Sequence, residues 1–433
     1  MNKIFASLLL SLIGQLACVS QTLASGFEQA TTLSESELYL AQRQGRFLLI
    51  SLKTPHQVLS TSAYNGGQST QIKYLVNHQS MEAKADDKHF LEQISLTKAQ
   101  YHQKVTKQLA LASEEVALMG TAANIQQLAK VERSFNGLTV TTFVTAGVKG
   151  NAQRSGDETR WYQTLVNDKV VNRSVKPLLE QQGEKTLDNS GTINIIVLIN
   201  KPISPGAQNK VAMLATEAKS AALAELAVAS KVSSHLATGT GTDQLIIASP
   251  VNTDMAALPS ASGHLKLGEL VGSSVKDAVL EALKWQNKLA PAATSNVLYA
   301  LARFGLTRTI LLSELKKKLS DDNYQLAKHN FNALISDARL TASAFAYAQL
   351  LDRLQYQTIP ADIAPEILRD QAAQVSVALS AKAIMWPSFW QQLSLIDYSV
   401  APVTTEQQPY IISKEMQLFI HALALGWENK WLE

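Results

Sequence analysis

The residues best equipped for chemistry sit in stretches rich in glycine, threonine and asparagine, each beside a run of β-branched residues. The sharpest is Ala237–Asp243 (ATGTGTD), directly before the apolar run Leu245–Ala248. Small residues expose backbone N–H groups, so Thr238, Gly239, Thr240, Gly241 and Thr242 form a candidate anion-binding nest, with Asp243 set to position water or a hydroxyl. The plainer alternative is a turn whose aspartate bonds its own backbone. A second stretch, Phe143–Asp157 (FVTAGVKGNAQRSGD), leaves an apolar strand and offers Thr145, Gly147 and Asn151 to an amide or anion, or is a strand-exit turn. In His56–Gln68 (HQVLSTSAYNGGQ) the residues Ser60, Thr61, Asn65, Gly66 and Gly67 would line a polar cleft. Asn-Gly-Gly is also a hairpin signal in its own right, because both residue types tolerate positive φ. Further on, Thr192 and Asn194 open a strand that leads to a helix carrying Glu217, a carboxylate aimed at a site or at solvent. His264 stands just before another helix start and is a candidate proton donor, with His78 as the alternative.

These side chains narrow the chemistry by what they lack. There is no HExxH, no GxSxG, no Walker A and no GxGxxG between a strand and a helix. His56, His78 and His264 match no zinc spacing, and nothing in the sequence requires a cofactor or metal. The single cysteine, Cys18, lies in an N-terminal segment with Lys3, the apolar run Ile4–Ile13 and a small-residue exit at Thr22-Leu23-Ala24. That pattern reads as a secretory signal over residues 1–24, too short for a bilayer span, and places the mature protein in a periplasm or outside the cell. Lipidation of Cys18 is the competing reading, and Gln15 speaks against it. Cleavage would leave no thiol, so disulfides, cysteine nucleophiles and thiolate metal sites drop out. A net charge of +3 with 17% charged residues gives no argument for nucleic acid.

Positioning these loops requires a sheet. Arg46–Leu52, Gln71–Val76, Leu138–Thr145, Thr192–Ile199 and Gln244–Ala248 read as strands, and Lys88–Leu109, Pro205–Ala229 and Leu267–Leu289 as helices. The expected fold is an α/β or α+β core over residues 25–290, with a mixed sheet and Ala-rich packing helices. Past Ala290-Pro291-Ala292 the turn-rich texture stops, and residues 291–433 read as an all-α domain of five to seven helices. Trp386, Trp390, Trp427 and Trp431 gather there, either as core packing or as a partner-binding surface.

Taken in order, LSTSAYNGG, TAGVKGNAQRSGD, GTINIIVLIN, ATEAK, ATGTGTD and SGHLKLGELVG resemble the adenosylcobinamide amidohydrolase family of corrinoid salvage, over about residues 54–289. The segment 160–187 looks enlarged relative to that pattern, and the signal and the helical region are additions to it. The resemblance implies hydrolysis of the amide between the corrin ring's propionate and its aminopropanol arm, with a corrinoid as substrate. Such a site needs an activated nucleophile, an oxyanion stabiliser and a proton for the leaving amine. Glu217 or Asp243 would assist water, N–H groups at Gly239–Thr242 or Thr145–Gly147 would hold the oxyanion, and His264 would protonate the amine. A Thr192 or Thr240 nucleophile is a second route. A corrinoid carrier that hands its ligand to an uptake-system protein through the helical region, and an amidase with another substrate, are the alternatives to the family reaction.

Overall fold

The computed structural model describes residues 30–80, 96–167, 169–175, 191–251, 254–395 and 413–431. The expected signal segment and Cys18 lie outside the described residues. Along the chain run β1 (Thr31–Glu35), β2 (Tyr39–Gln44), β3 (Phe47–Leu52), β4 (His56–Ser60), β5 (Gly67–Ser69), β6 (Tyr74–Gln79) and β7 (Val116–Thr121). There follow β8 (Ala129–Phe135), β9 (Leu138–Ala146), β10 (Ala152–Gln153), β11 (Trp161–Val166), β12 (Lys169–Ser174), β13 (Ile193–Ile199), β14 (Gly239–Thr240) and β15 (Gln244–Pro250). Three helices intervene: α1 (Lys98–Gln108), α2 (Pro205–Glu225) and α3 (Lys266–Asn287).

By internal contacts the chain divides into two compact units. The first draws on Met1–Gly147, Gly191–Ala218 and Thr242–Ala282. It holds two mixed sheets, in the orders β1-β2-β3-β6-β7 and β5-β4-β15-β13-β9-β8. The parallel pairs β6–β7 and β13–β15 each enclose a helix between their strands, as parallel neighbours require. Period-two alternation explains how the sheets pack. In β3, Leu48 and Ile50 face the second sheet while Phe47 and Leu49 face α1. Leu75, Ala117 and Met119 from the first sheet meet Val58, Phe143, Ile196, Leu198, Ile246 and Ala248 from the second in one core. Across the second sheet, the buried Gln208 of α2 bonds Gln57 and the Ile247 carbonyl, and Ser274 of α3 meets Thr142 at 2.9 Å. Helices therefore cover the outer face of each sheet, in four layers. Strand β13 is buried at all seven positions, as a central strand covered on both sides should be.

The second unit draws on Val148–Ser190, Lys219–Gly241 and Leu283–Glu433. It contains the short ribbon β10–β14, the hairpin β11–β12 and the C-terminal helices. These are α4 (Pro291–Thr294), α5 (Val297–Leu301), α6 (Arg308–Lys318), α7 (Asp321–His329), α8 (Phe331–Ile335), α9 (Ala338–Gln355), α10 (Ala364–Ser380), α11 (Trp386–Ser394) and α12 (Lys414–Lys430). Four of the longer ones start on a Ser, Thr or Asp whose side chain accepts an N–H of the first turn, namely Thr307, Ser320, Asp337 and Ser413, while α10 and α11 carry a proline in the first turn instead. The stretch Ser320-Asp321-Asp322, which reads as a breaker, is thus the cap and first turn of α7. Leu311, Phe331, Tyr347, Phe389, Phe419 and Trp427 build the core. The Trp427 indole donates to the Asn323 carbonyl at 3.1 Å and meets Trp431 edge-on, so that pair packs as core and cap.

Candidate functional site

In the first unit, the motif loops leave from one end of the two sheets, and polar side chains fix their roots. At that end lie the last residues of β4, β6, β7 and β9 and the first residues of β13 and β15. On the inner face Asn77 donates to Thr145 Oγ1 at 2.8 Å, and Asn194 donates to Asn77 Oδ1 at 2.9 Å and to the Gly120 carbonyl at 3.0 Å. All three side chains are buried. Asn194 Oδ1 and Gln244 Oε1, on neighbouring strands, are buried acceptors with no hydrogen-bond donor in reach among the described residues. An unmet acceptor of this kind costs about 1–3 kcal/mol unless a water or ligand N–H reaches it. Thr192 and Thr242 meet hydroxyl to hydroxyl at 2.6 Å, and Asp243 Oδ1 accepts the Ile193 N–H at 3.0 Å. One Asp243 oxygen thus anchors the backbone of the neighbouring strand β13 rather than its own turn. The Gly147 N–H is likewise spent on the Thr192 carbonyl at 3.0 Å, and Thr145 and Ala146 pair with β13, so the chain from Thr145 to Gly147 is ladder and not an open oxyanion hole.

The stretch His56–Gln68 is not a loop from its start. Its first five residues are β4, and Ser60 pairs with Gly67 of β5. Asn65 and Gly67 do take positive φ, 52° and 91°. A side chain at Gly66 would bring its Cβ to 2.3 Å from the Ser62 carbonyl, so only glycine fits there. The Asn65 amide is used on the Ser113 and Val116 carbonyls, while Ser60 and Ser62 pair with each other at 2.5 Å. Glu217 lies on the exposed side of α2, away from the buried Val211, Ala215 and Ala218. His264 stands at the opposite end of the strands: it precedes Lys266, whose ammonium lies over the Phe135 ring at the β8–β9 turn, a full strand from Thr145. His78 is buried between the rings of Phe47 and Tyr101 on the α1 side, with Nδ1 2.7 Å from the Tyr101 hydroxyl. The structure therefore gathers Thr145, Thr192, Asn194, Thr242 and Asp243, and does not bring Glu217, His264 or His78 to them.

The second unit holds the other motif residues. There TAGVKGNAQRSGD and ATGTGTD pair as the antiparallel ribbon β10–β14, with Ala152 opposite Thr240 and Gln153 opposite Gly239. The Thr238 N–H goes to the Gln153 carbonyl at 3.0 Å and the Gly241 N–H to the Asn151 carbonyl at 3.3 Å. This corrects the expectation of an open nest, since two of its N–H groups are spent on the ribbon. A Cβ at Gly241 would lie 3.0 Å from Gln153 Oε1 and 3.2 Å from Asn151 Oδ1, both side-chain ends that can yield. Thr238 Oγ1 accepts the Ser155 N–H at 2.8 Å.

Beside this ribbon is a cluster that reading by motif passed over. Asp157 Oδ2 accepts the Arg154 N–H at 2.8 Å and the Ser230 hydroxyl at 2.7 Å. Burial alone would raise this carboxyl, but the Ser233 and Ser230 hydroxyls, the Arg154 N–H and the neighbouring His235 hold it below its ordinary value. His235 is partly buried, stacks on Tyr356 at 5.7 Å and 15°, and has a buried Nδ1 with no hydrogen-bond partner among the described residues. The signal for it was positional: Asp157 closes TAGVKGNAQRSGD, and His235 stands two residues before ATGTGTD. Among the described residues no group of three or more His, Cys, Asp and Glu gathers as metal ligands do.

Comparison with known proteins agrees with the motif order. The model of the adenosylcobinamide amidohydrolase (CbiZ) family matches residues 29–291. The chain is 32% identical over 245 residues to the uncharacterized protein MJ1613 of Methanocaldococcus jannaschii, covering 56% of this chain and 87% of that protein. Among solved structures, the PH0078 protein from Pyrococcus horikoshii OT3 aligns with 59% of this chain and 83% of its own at 10% identity, with a TM-score of 0.28. The family match covers more than half of the chain and spans every motif loop described above, so this chain belongs to the adenosylcobinamide amidohydrolase family.

Proposed function

We propose that the protein hydrolyses the amide linking the aminopropanol arm to the corrin ring of (adenosyl)cobinamide or a related corrinoid, releasing a cobyric acid and the free aminopropanol fragment. The family match over residues 29–291 carries this reading. No cysteine lies within those residues, so the attacking oxygen comes from water or a Ser/Thr hydroxyl. The matched segment includes both strands of the β10–β14 ribbon together with Asp157 and His235, groups of the type that acyl transfer uses. Asn194 Oδ1 and Gln244 Oε1 are acceptors suited to the carboxamide N–H groups of a corrin periphery. The N-terminal segment supports export, which would let the enzyme meet its substrate before uptake across an inner membrane. Residues 291–433, almost wholly outside the family match, are then the part that would serve an uptake-system protein.

The test is direct. Purified protein is incubated with cobinamide, adenosylcobinamide and cobalamin, and products are separated by chromatography with mass detection. Cobyric acid from either cobinamide is the expected result. Tight binding without product would support a corrinoid carrier instead, and neither product nor binding would sink the corrinoid reading.

A further inference from the structure

Each of four histidines is tied up or misplaced. His56 Nδ1 lies 2.7 Å from the Thr54 carbonyl, His102 Nε2 2.8 Å from the Ser113 carbonyl, and His78 is bound to Tyr101. His329 Nδ1 meets the Gln325 carbonyl at 2.7 Å on the helix surface. His235 differs. Its loop is joined by chain to the ATGTGTD motif and tied to Asp157 through the Ser230 hydroxyl at 2.7 Å, and one ring nitrogen is buried and unmet among the described residues. We propose that His235 is the proton-transfer residue of the hydrolysis, a role that rests on the reaction proposed above.

The step balances with water as the only co-reactant. A water O–H gives its proton to the imidazole as the oxygen attacks the amide carbon. The tetrahedral adduct then collapses: the C–N bond breaks, and the same imidazole returns the proton to the departing nitrogen. The carboxylic acid and the amine leave, and the ring ends as it began.

Such a role needs the ring held still, and the second unit supplies the hold. The loop is closed on itself, since the Ser230 N–H donates to the His235 carbonyl at 2.9 Å and Ala229 bridges Leu236. On the helices, Arg303 Nη1 donates to the Ser234 carbonyl at 2.9 Å while its guanidinium pairs with the buried Asp352, Nη2 to Oδ2 at 2.7 Å. Gln355 Nε2 reaches the Ser234 hydroxyl at 2.7 Å, and Tyr356 covers one face of the ring. Arg303, Gln355 and Tyr356 are thus positioning residues. Ser230 also ties the loop to Asp157, its hydroxyl donating to Oδ2 at 2.7 Å.

Steady-state kinetics on cobinamide tests this with wild type, H235Q and H235A in parallel. H235Q is expected to keep the wild-type melting curve and KM and to lose ~100-fold or more in kcat, the usual worth of a positioned acid–base group. H235A should fall as far and regain activity when imidazole is added to the assay, a gain that a purely structural role would not give. A folded H235Q within threefold of wild type, or an H235A that imidazole does not rescue, overturns the assignment to His235 and leaves the family reaction standing. A wild type that makes no cobyric acid overturns both. Should H235Q fail to fold, the imidazole rescue of H235A decides alone.

Discussion

Asn77 holds Thr145 with its amide and Asn194 with its carbonyl oxygen, in the space between two sheets. Three strands from both sheets thereby meet in one hydrogen-bond chain, and shortening Asn77 strands buried partners. N77A is expected to lower unfolding free energy by about 1–3 kcal/mol, read from denaturant melts. An N77D variant would be worse, since it buries a charge. Thr145 and Asn194 were legible in the sequence because each sits where an apolar run meets a motif loop. Asn77 was harder to see. It belongs to a different sheet, and only the fold shows that its alternation turns it inward. His235 was legible by position alone, because the ring that defines its setting, Tyr356, comes more than a hundred residues later. Glu217 shows the converse failure. Carboxylate chemistry and a motif made it attractive, while the exposed side of α2 is where a helix normally keeps its charges.

Elements with strong period or long apolar runs read well from the sequence: β3, β9, β13, β15, α2 and α3 fall where the pattern puts them, while the described residues from Pro291 on hold nine helices where five to seven were expected. The failures share a physical cause. Strand β4 is five residues long and ends at Ser60 before Thr61-Ser62, β7 runs into Gly120-Thr121, and β8 is a mostly exposed edge strand with three charged residues. Turn-like residues at a strand end mask the strand, and an edge needs few apolar residues. Packing between elements is less legible still. Helices α10 and α12 cross closely enough that a Cβ on Gly426 would lie 2.8 Å from the Ser376 carbonyl oxygen and 3.0 Å from its Cα, with Ser376 Oγ donating to Ala422 O nearby. Both obstacles are backbone and cannot swing aside. G426A should therefore cost about 1–3 kcal/mol by overpacking, despite alanine's better helix propensity, and a melt of the purified variant checks the sign.

For the molecule as a whole, acid is the informative stress. Burial, and next the charge of Lys318, lower His421 on α12 from its ordinary 6.5 to about 4. A histidine that stays neutral when folded but protonates when unfolded contributes stability fully above pH 6.5, and that contribution is lost as pH falls from 6.5 toward about 4. His56 and His102 in the first unit are lowered too, chiefly by burial, and add the same sign. Asp157 acts lower down: its depressed carboxyl contributes above its ordinary 3.8 and is lost below that. H421Q should flatten the fall in thermal midpoint between pH 6.5 and 4 relative to wild type; an unchanged slope would count against the burial argument. The hold on Ser234 has a consequence in time as well as in space. Its partners Arg303 and Gln355 lie 69 and 121 residues downstream. A ribosome adding ~5–20 residues per second makes the second of these about 6–24 s after the first half of the contact. The His235 loop therefore emerges long before Arg303 and Gln355 can hold it, and the proposed catalytic geometry is completed only after the α9 end has been synthesised.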